Sequence, residues 1–181
     1  MARAATSQRV VQPTSTQRGV TMMELMITLA IVAILAALAA PSFSNFVADV
    51  RQSSVMGELA SDLHLARSES IKRNALVKVC PLAAGNTCGG GSDWGVGWLI
   101  CYVNALGECD LTNTTADPNP IKVHGALNGP VALDGPIAAV LFRPIGTANV
   151  LSVFTLTNTS GAGPKRVTNV SPAGSITTVK Q

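Results

Sequence analysis

From Leu25 to Ala48 the chain carries no charged residue, and residues 25–40, LMITLAIVAILAALAA, are almost wholly Leu, Ile, Val, Ala and Met. A helix rising 1.5 Å per residue crosses the ~30 Å bilayer core with roughly twenty apolar residues. Core helices of globular domains are usually shorter and apolar along one stripe, whereas this run is apolar on every face. It therefore reads as membrane-inserted. Arg3, Arg9 and Arg18 precede it and a mixed-charge stretch follows. By the positive-inside bias the amino terminus is cytoplasmic, and residues beyond about 49 lie outside the cytoplasm.

Composition fits a chain that does not wholly face water. Charged residues make up 13% and mean hydropathy is +0.34, against about 25% charged in average globular chains. Bulk disorder, which needs low hydrophobicity and high net charge, is excluded. So is a large multidomain enzyme, by the 181-residue length. The net charge of +3 belongs to the three leader arginines, because ten basic residues balance ten acidic ones in the remainder. A global basic field for nucleic acid or acidic lipid is absent there.

Two processing signals compete. Ala37-Leu38-Ala39 would suit a secretory peptidase and release a soluble chain beginning at Ala40. The other signal, Arg18-Gly19-Val20-Thr21-Met22-Met23-Glu24, lies on the cytoplasmic side of the apolar run. Residues 18–46 resemble the amino terminus of type IV pilins and type II secretion pseudopilins. In those families a basic leader ends in Gly, a dedicated prepilin peptidase cuts after it, and the new amino terminus is N-methylated. Gly19 matches the last leader residue, Glu24 the carboxylate five positions into the mature chain, and Pro41 a proline twenty-two positions in. Val20 stands where the family usually has Phe. The resemblance thus implies cleavage between Gly19 and Val20, methylation of Val20, and assembly roles for Glu24 and Pro41.

A carboxylate driven to mid-bilayer costs ~2.5–3.5 kcal/mol. Glu24 should therefore sit at the interface, near the helix amino terminus, or find a cation. The resemblance implies that in a filament the cation is the freed amino group of a neighbouring subunit. A charge tolerable only when paired sets assembly register.

Past the apolar run, Met56, Leu59, Leu63, Ala66 and Ser70 recur at steps of three and four while charges take the other positions. This predicts an amphipathic helix continuing the first. Pro41, lacking a backbone donor, should bend the rod without ending it. From residue 21 to about 73 such a helix would measure ~80 Å. Its first half must then protrude from any domain of the remaining length.

After Asn74 the periodicity shifts towards two, and Gly and Pro multiply. Strands are expected at 75–80, 95–103, 120–124, 131–133, 138–142, 149–157, 166–170 and 175–179, separated by clusters such as Gly89-Gly90-Gly91 and Asp134-Gly135-Pro136. The expected fold is α+β: a long amino-terminal helix packed on an antiparallel β-sheet head. The expected division is leader 1–19, membrane half of the helix 20–48, amphipathic half 49–73, and extracytoplasmic head 74–181. Leu59 and Leu63 should face the sheet.

Cys80, Cys88, Cys101 and Cys109 are spaced C-x7-C-x12-C-x7-C. Shared-metal motifs usually hold two ligands two to four residues apart, so these gaps read as too wide for a metal site. His64 and His124 are not placed to help. In an oxidising compartment four cysteines read as two disulfides. Among three connectivities, Cys80–Cys88 and Cys101–Cys109 are favoured because each pair flanks its own Gly-containing loop. Each would stabilise by ~2–3 kcal/mol on the chain-entropy account. Free buried thiols are the alternative.

Val79-Cys80-Pro81, Cys88 and Asp93-Trp94-Gly95-Val96-Gly97-Trp98-Leu99-Ile100 resemble the head of one pilin subgroup, the H-type pseudopilins with the FimT and FimU minor pilins. The likeness is good to about Val103 and looser beyond. Independently of it, Trp94 and Trp98 separated by small residues suit two packed rings with a backbone passing close by.

No catalytic constellation is found. Gly89-Gly90-Gly91 lacks the following Lys-Ser or Lys-Thr of a phosphate loop, and no nucleophile stands beside a base. The chain reads as a non-enzyme without a cofactor. Some relatives are DNA receptors in natural transformation, and residues 118–181 hold Lys122, Arg143, Lys165, Arg166 and Lys180 against Asp134 alone. Lys165, Arg166 and Lys180 are the candidate phosphate contacts. The Gly-Arg-x-Arg element of those relatives is replaced here by Gly174-Ser175-Ile176-Thr177, so a solvated basic face is the default. The resemblance implies a minor pilin anchored in the inner membrane with a periplasmic head. Its expected partners are other pilins or pseudopilins, the prepilin peptidase and inner-membrane lipid, with a type II secretion pseudopilin or a DNA receptor as the rivals.

Overall fold

In this computed structural model the described residues are 19–104, 106–109, 119–137, 139–161 and 163–181, with the side chains of 39–41 set aside. The leader arginines Arg3, Arg9 and Arg18 lie outside the described residues; at Pro41 the backbone is helical, and α1 continues through it as expected. The chain divides into two compact units, Met1–Ala40 and Pro41–Gln181. Helix α1 spans Met22–Lys72.

In the first unit the helix begins at a threonine cap. The Glu24 N–H donates to Thr21 Oγ1 at 3.2 Å, satisfying one donor that a helix start leaves open, and the Leu25 N–H makes the first helical bond, to the Thr21 carbonyl at 3.1 Å. Every residue from Met22 to Leu38 is exposed, including Leu25, Ile31 and Leu35. By length and hydropathy no single helix among the described residues is long and apolar enough to cross a membrane. Met22–Leu38 and Ser42–Lys72 meet those two criteria as a pair.

In the second unit α1 buries one face: Gln52, Val55, Met56, Leu59, Asp62, Leu63, Ala66 and Ser70. The steps of three and four place these side chains along one stripe. Asn74, at φ 52°, turns the chain out of the helix, with its N–H on the Ile71 carbonyl and that of Ala75 on the Ser70 carbonyl.

Among the described residues nine strands follow: β1 Val77–Ala83, β2 Thr87–Cys88, β3 Trp98–Tyr102, β4 Lys122–His124, β5 Val131–Asp134, β6 Val140–Phe142, β7 Ser152–Asn158, β8 Arg166–Val170 and β9 Ile176–Lys180. They form two antiparallel sheets. In one, β1 lies beside β3 and β3 beside β4, while β6 and β2 share the other edge of β1. In the other the order is β5-β7-β8-β9. The α+β arrangement expected from periodicity is therefore present, and Leu59 and Leu63 are fully buried in one core cluster with Trp94, Trp98, Phe142 and Phe154.

Several expected strand bounds shift, for local reasons. β1 continues past Cys80 through Pro81, because the ladder resumes around the missing donor: the Leu82 N–H reaches the Gly97 carbonyl at 2.9 Å and the Pro81 carbonyl accepts from Gly89 at 2.7 Å. β7 begins only at Ser152, because the Asn149 side chain occupies the edge instead. Its Oδ1 accepts from the Leu141 N–H at 3.0 Å and its Nδ2 donates to the Ala139 carbonyl at 3.3 Å. The 3-10 turn Ala84–Asn86 and the two-residue β2 were too short to show as a period. Residue 138, at the expected start of β6, is outside the described set.

Two glycines are required by close approach. Gly97, at φ 99°, lies against the backbone of His124 and Gly125, where a Cβ would collide. Gly135 leaves room for the Trp94 and Phe154 rings, which a Cβ would meet at 2.6 and 2.8 Å.

Candidate functional site

Gly19 and Val20 are exposed and lie just ahead of α1; Glu24, also exposed, is in its first turn. Val20 and Glu24 are thus four positions apart, across the start of the helix. Accessibility to a peptidase and a carboxylate at the helix head are the two properties the expected processing and pairing chemistry requires.

In the second unit, polar groups join the helix to strand β4. Buried Asp62 accepts from Trp98 Nε1 at 2.9 Å through one carboxylate oxygen and from Lys122 Nζ at 2.6 Å through the other. One turn earlier Glu58 meets His124 Nε2 at 3.0 Å, and the His124 ring stacks on Trp98 with centroids 3.8 Å apart and planes 11° apart. The His124 bond holds the Glu58 carboxyl below the usual carboxylate range. Trp94 is anchored differently, with Nε1 on the Pro136 carbonyl at 3.1 Å and its ring edge-on to Phe154 at 4.8 Å.

At the head of the helix segment 41–72, Asp49 meets both Arg166 Nη2 at 2.6 Å and Lys180 Nζ at 2.9 Å. The Lys180 bond first, then that of Arg166, holds the Asp49 carboxyl below its usual range. The β8–β9 register sets Arg166 opposite Lys180, so both cations reach one carboxylate. Of the three residues singled out for nucleic acid, two are therefore internally paired, and Lys165 is exposed beside them. Near the other end of the helix, Glu69 accepts from the Tyr102 hydroxyl at 2.8 Å and Arg73 Nε at 3.0 Å. The Tyr102 hydroxyl lowers the Glu69 carboxyl, while burial, then Glu69, pushes Tyr102 up to about 12.

Disulfides join Cys80 to Cys88 and Cys101 to Cys109. Cysteine spacing suggested ligands too far apart to share an ion, yet the fold draws the sulfurs of Cys80, Cys88 and Cys109 within 4.8 Å of one another. Strand pairing overrides sequence distance here. All three are disulfide-bonded, so none stands as a thiolate ligand.

Sequence reasoning missed Asp62, Asp49 and His124 as cross-element contacts. Asp62 carried a signal, since it lies one position before Leu63 on the buried stripe, where an unpaired charge is costly. Asp49 and His124 carried none, because their ion-pair partners are more than sixty residues away.

The comparisons with known proteins agree with this architecture. The family described as "Type II transport protein GspH" matches residues 56–174, and the prokaryotic N-terminal methylation motif matches residues 14–40. A type IV major fimbrial protein, FimA of Dichelobacter nodosus, is 34% identical over 122 residues, 66% of each chain, so the match spans just under two thirds of that relative. The type IV minor pilin FimU of Pseudomonas aeruginosa has a similar fold, with a TM-score of 0.52 at 23% identity over 70% of this chain and 91% of that one. So has the minor pseudopilin EpsH from the type 2 secretion system of Vibrio cholerae, with a TM-score of 0.52 at 8% identity over 72% and 97%. The pilin and pseudopilin proteins are structural subunits rather than enzymes. With its helix packed on antiparallel sheets and its methylation motif running into the first half of that helix, the chain belongs to the GspH family of pilin-like type II transport proteins.

Proposed function

We propose that this chain is a minor pilin of a type IV pilus, working in assembly through helix packing and head-to-head contacts. The observation that carries the reading is the exposed, uncharged and almost wholly apolar helical stretch 25–38, directly preceded by Glu24 inside a methylation motif. Such a surface needs lipid before assembly and neighbouring helices after it. Prepilin peptidase removes residues 1–19 after Gly19, Val20 becomes the methylated amino terminus, and Glu24 accepts the Val20 amine of another subunit. Residues 20–48 hold the subunit in the inner membrane with the amino terminus cytoplasmic and residues 74–181 in the periplasm. Pro41 lets the helix bend as the lipid shell is exchanged for a filament.

Glu24→Ala tests the pairing. Membrane insertion stays intact while incorporation into sheared filaments, followed by immunoblot, falls at least tenfold; incorporation at the wild-type level contradicts it. The GspH match and the EpsH likeness favour a second reading, a minor pseudopilin of type II secretion. A deletion strain that keeps piliation and loses secretion of exoproteins supports that reading over the first. A DNA-receptor role gains no support, since Asp49 engages both Arg166 and Lys180 and offsets one of their two charges.

A further inference from the structure

The two disulfides close separate loops, and the strand pairing brings them to one place. Lys78 lies opposite Cys101 and Cys80 opposite Leu99 on β1 and β3. Leu82 pairs with Cys88, and Val103 bridges to Cys109. As a result Cys88 Sγ and Cys109 Sγ, from different disulfides, are 3.2 Å apart. Their bonded partners Cys80 and Cys101 are buried, whereas Cys88 and Cys109 are partly exposed and line a cleft of about 360 Å³ together with Lys78, Thr87 and Glu108.

We infer that these four cysteines form one exchangeable redox site, in which a dithiol entering the cleft converts two disulfides into a single Cys88–Cys109 cross-link and two buried thiols, Cys80 and Cys101. An external thiolate attacks the accessible Cys109 sulfur, forming a mixed disulfide and releasing the Cys101 thiolate. The second thiol of the reductant resolves the mixed disulfide, leaving as a cyclic or protein disulfide and freeing the Cys109 thiolate. That thiolate attacks Cys88 at 3.2 Å, the Cys80–Cys88 bond breaks, and Cys80 leaves as a thiolate. Cys80 and Cys101 take up protons from solvent, so that two electrons and two protons have passed from the dithiol to the protein.

Three features favour this end state over simple opening of one bond. Burial disfavours thiolates, so Cys80 and Cys101 are retained as neutral thiols. Each has a backbone acceptor: the Leu99 carbonyl is 3.9 Å from Cys80 Sγ and the Lys78 carbonyl 3.8 Å from Cys101 Sγ. Lys78, held by its bond to the Gly107 carbonyl, keeps an ammonium in the cleft wall, where it favours the attacking thiolate. The surviving cross-link lies at the exposed side, available for the reverse reaction.

The test uses the detergent-solubilised full chain under anaerobic conditions, treated with less than one equivalent of dithiothreitol, quenched in acid, alkylated and mapped without reduction. The expected major product is alkylated at Cys80 and Cys101 and joined through Cys88–Cys109. Recovery instead of one original disulfide beside two alkylated cysteines of the other overturns the inference. So does a mixture of untouched and fully reduced molecules.

Discussion

Residues 22–38 and 52–70 belong to one helix yet meet their surroundings in opposite ways. The first stretch is exposed on every face and apolar on almost all of them; the second buries one stripe and presents charges elsewhere. The buried stripe can complete its packing within the head, because two sheets supply the matching surface. Among the described residues of its own unit the first stretch meets no such surface, and on the proposed reading its apolar area is covered from outside the subunit. A helix of uniform character would perform only one of these tasks. On the proposed function, the switch from all-round to one-sided hydrophobicity divides the chain into a part that folds and a part that assembles.

The contrast breaks most visibly at the tryptophans. Trp98→Ala removes a fully buried ring, the stack on His124 and the bond to Asp62. It should cost about 3–5 kcal/mol, seen as a collapse of the thermal midpoint and of protease resistance, with membrane association unchanged. Leu29→Arg works in the opposite sense. A charge near mid-bilayer costs roughly 2.5–3.5 kcal/mol on insertion scales, so carbonate-resistant membrane association should fall while the head's thermal midpoint does not move. Coupled losses in either variant would contradict the division.

Asp62→Ala is a milder probe confined to the helix–sheet joint. It strands the Trp98 N–H and deprives Lys122 of its partner, for about 1–3 kcal/mol, again as a lower midpoint. Acid should act at the same joint and its neighbours. Glu58, Glu69 and Asp49 have ordinary values of 4.5, 4.5 and 3.8, all lowered in the folded head. Depressed carboxylates stabilise fully above their unfolded values and lose that contribution as pH falls through the folded ones. Thermal melts of the full chain should therefore be flat above about pH 5–6 and decline below 4.5, with a smaller decline in Glu58→Gln. A midpoint that rises on acidification would be inconsistent with these pairings.

Much of the fold was legible because it depends on local pattern. Met56, Leu59 and Leu63 declare a buried stripe by spacing alone, and β8 declares itself between Gly163-Pro164 and Pro172-Ala173-Gly174. What stayed hidden depends on partners distant in sequence. Nothing around Asp49 points to Arg166 and Lys180 more than a hundred residues away. Nor does an eight-residue cysteine separation within each pair announce that the two loops will touch. His124 looked like an isolated imidazole and became a ring stacked on Trp98, because β3–β4 pairing sets those two residues opposite each other. At the amino terminus the motif around Gly19, Val20 and Glu24 was readable as chemistry, since it is contiguous.

The account depends above all on where the mature chain begins. Intact mass and amino-terminal sequencing of the protein recovered from membranes and filaments would test this directly. A chain starting at Val20 and carrying one methyl group on its amine is the expected result. A chain starting at Ala40, recovered free of the membrane, would contradict the account.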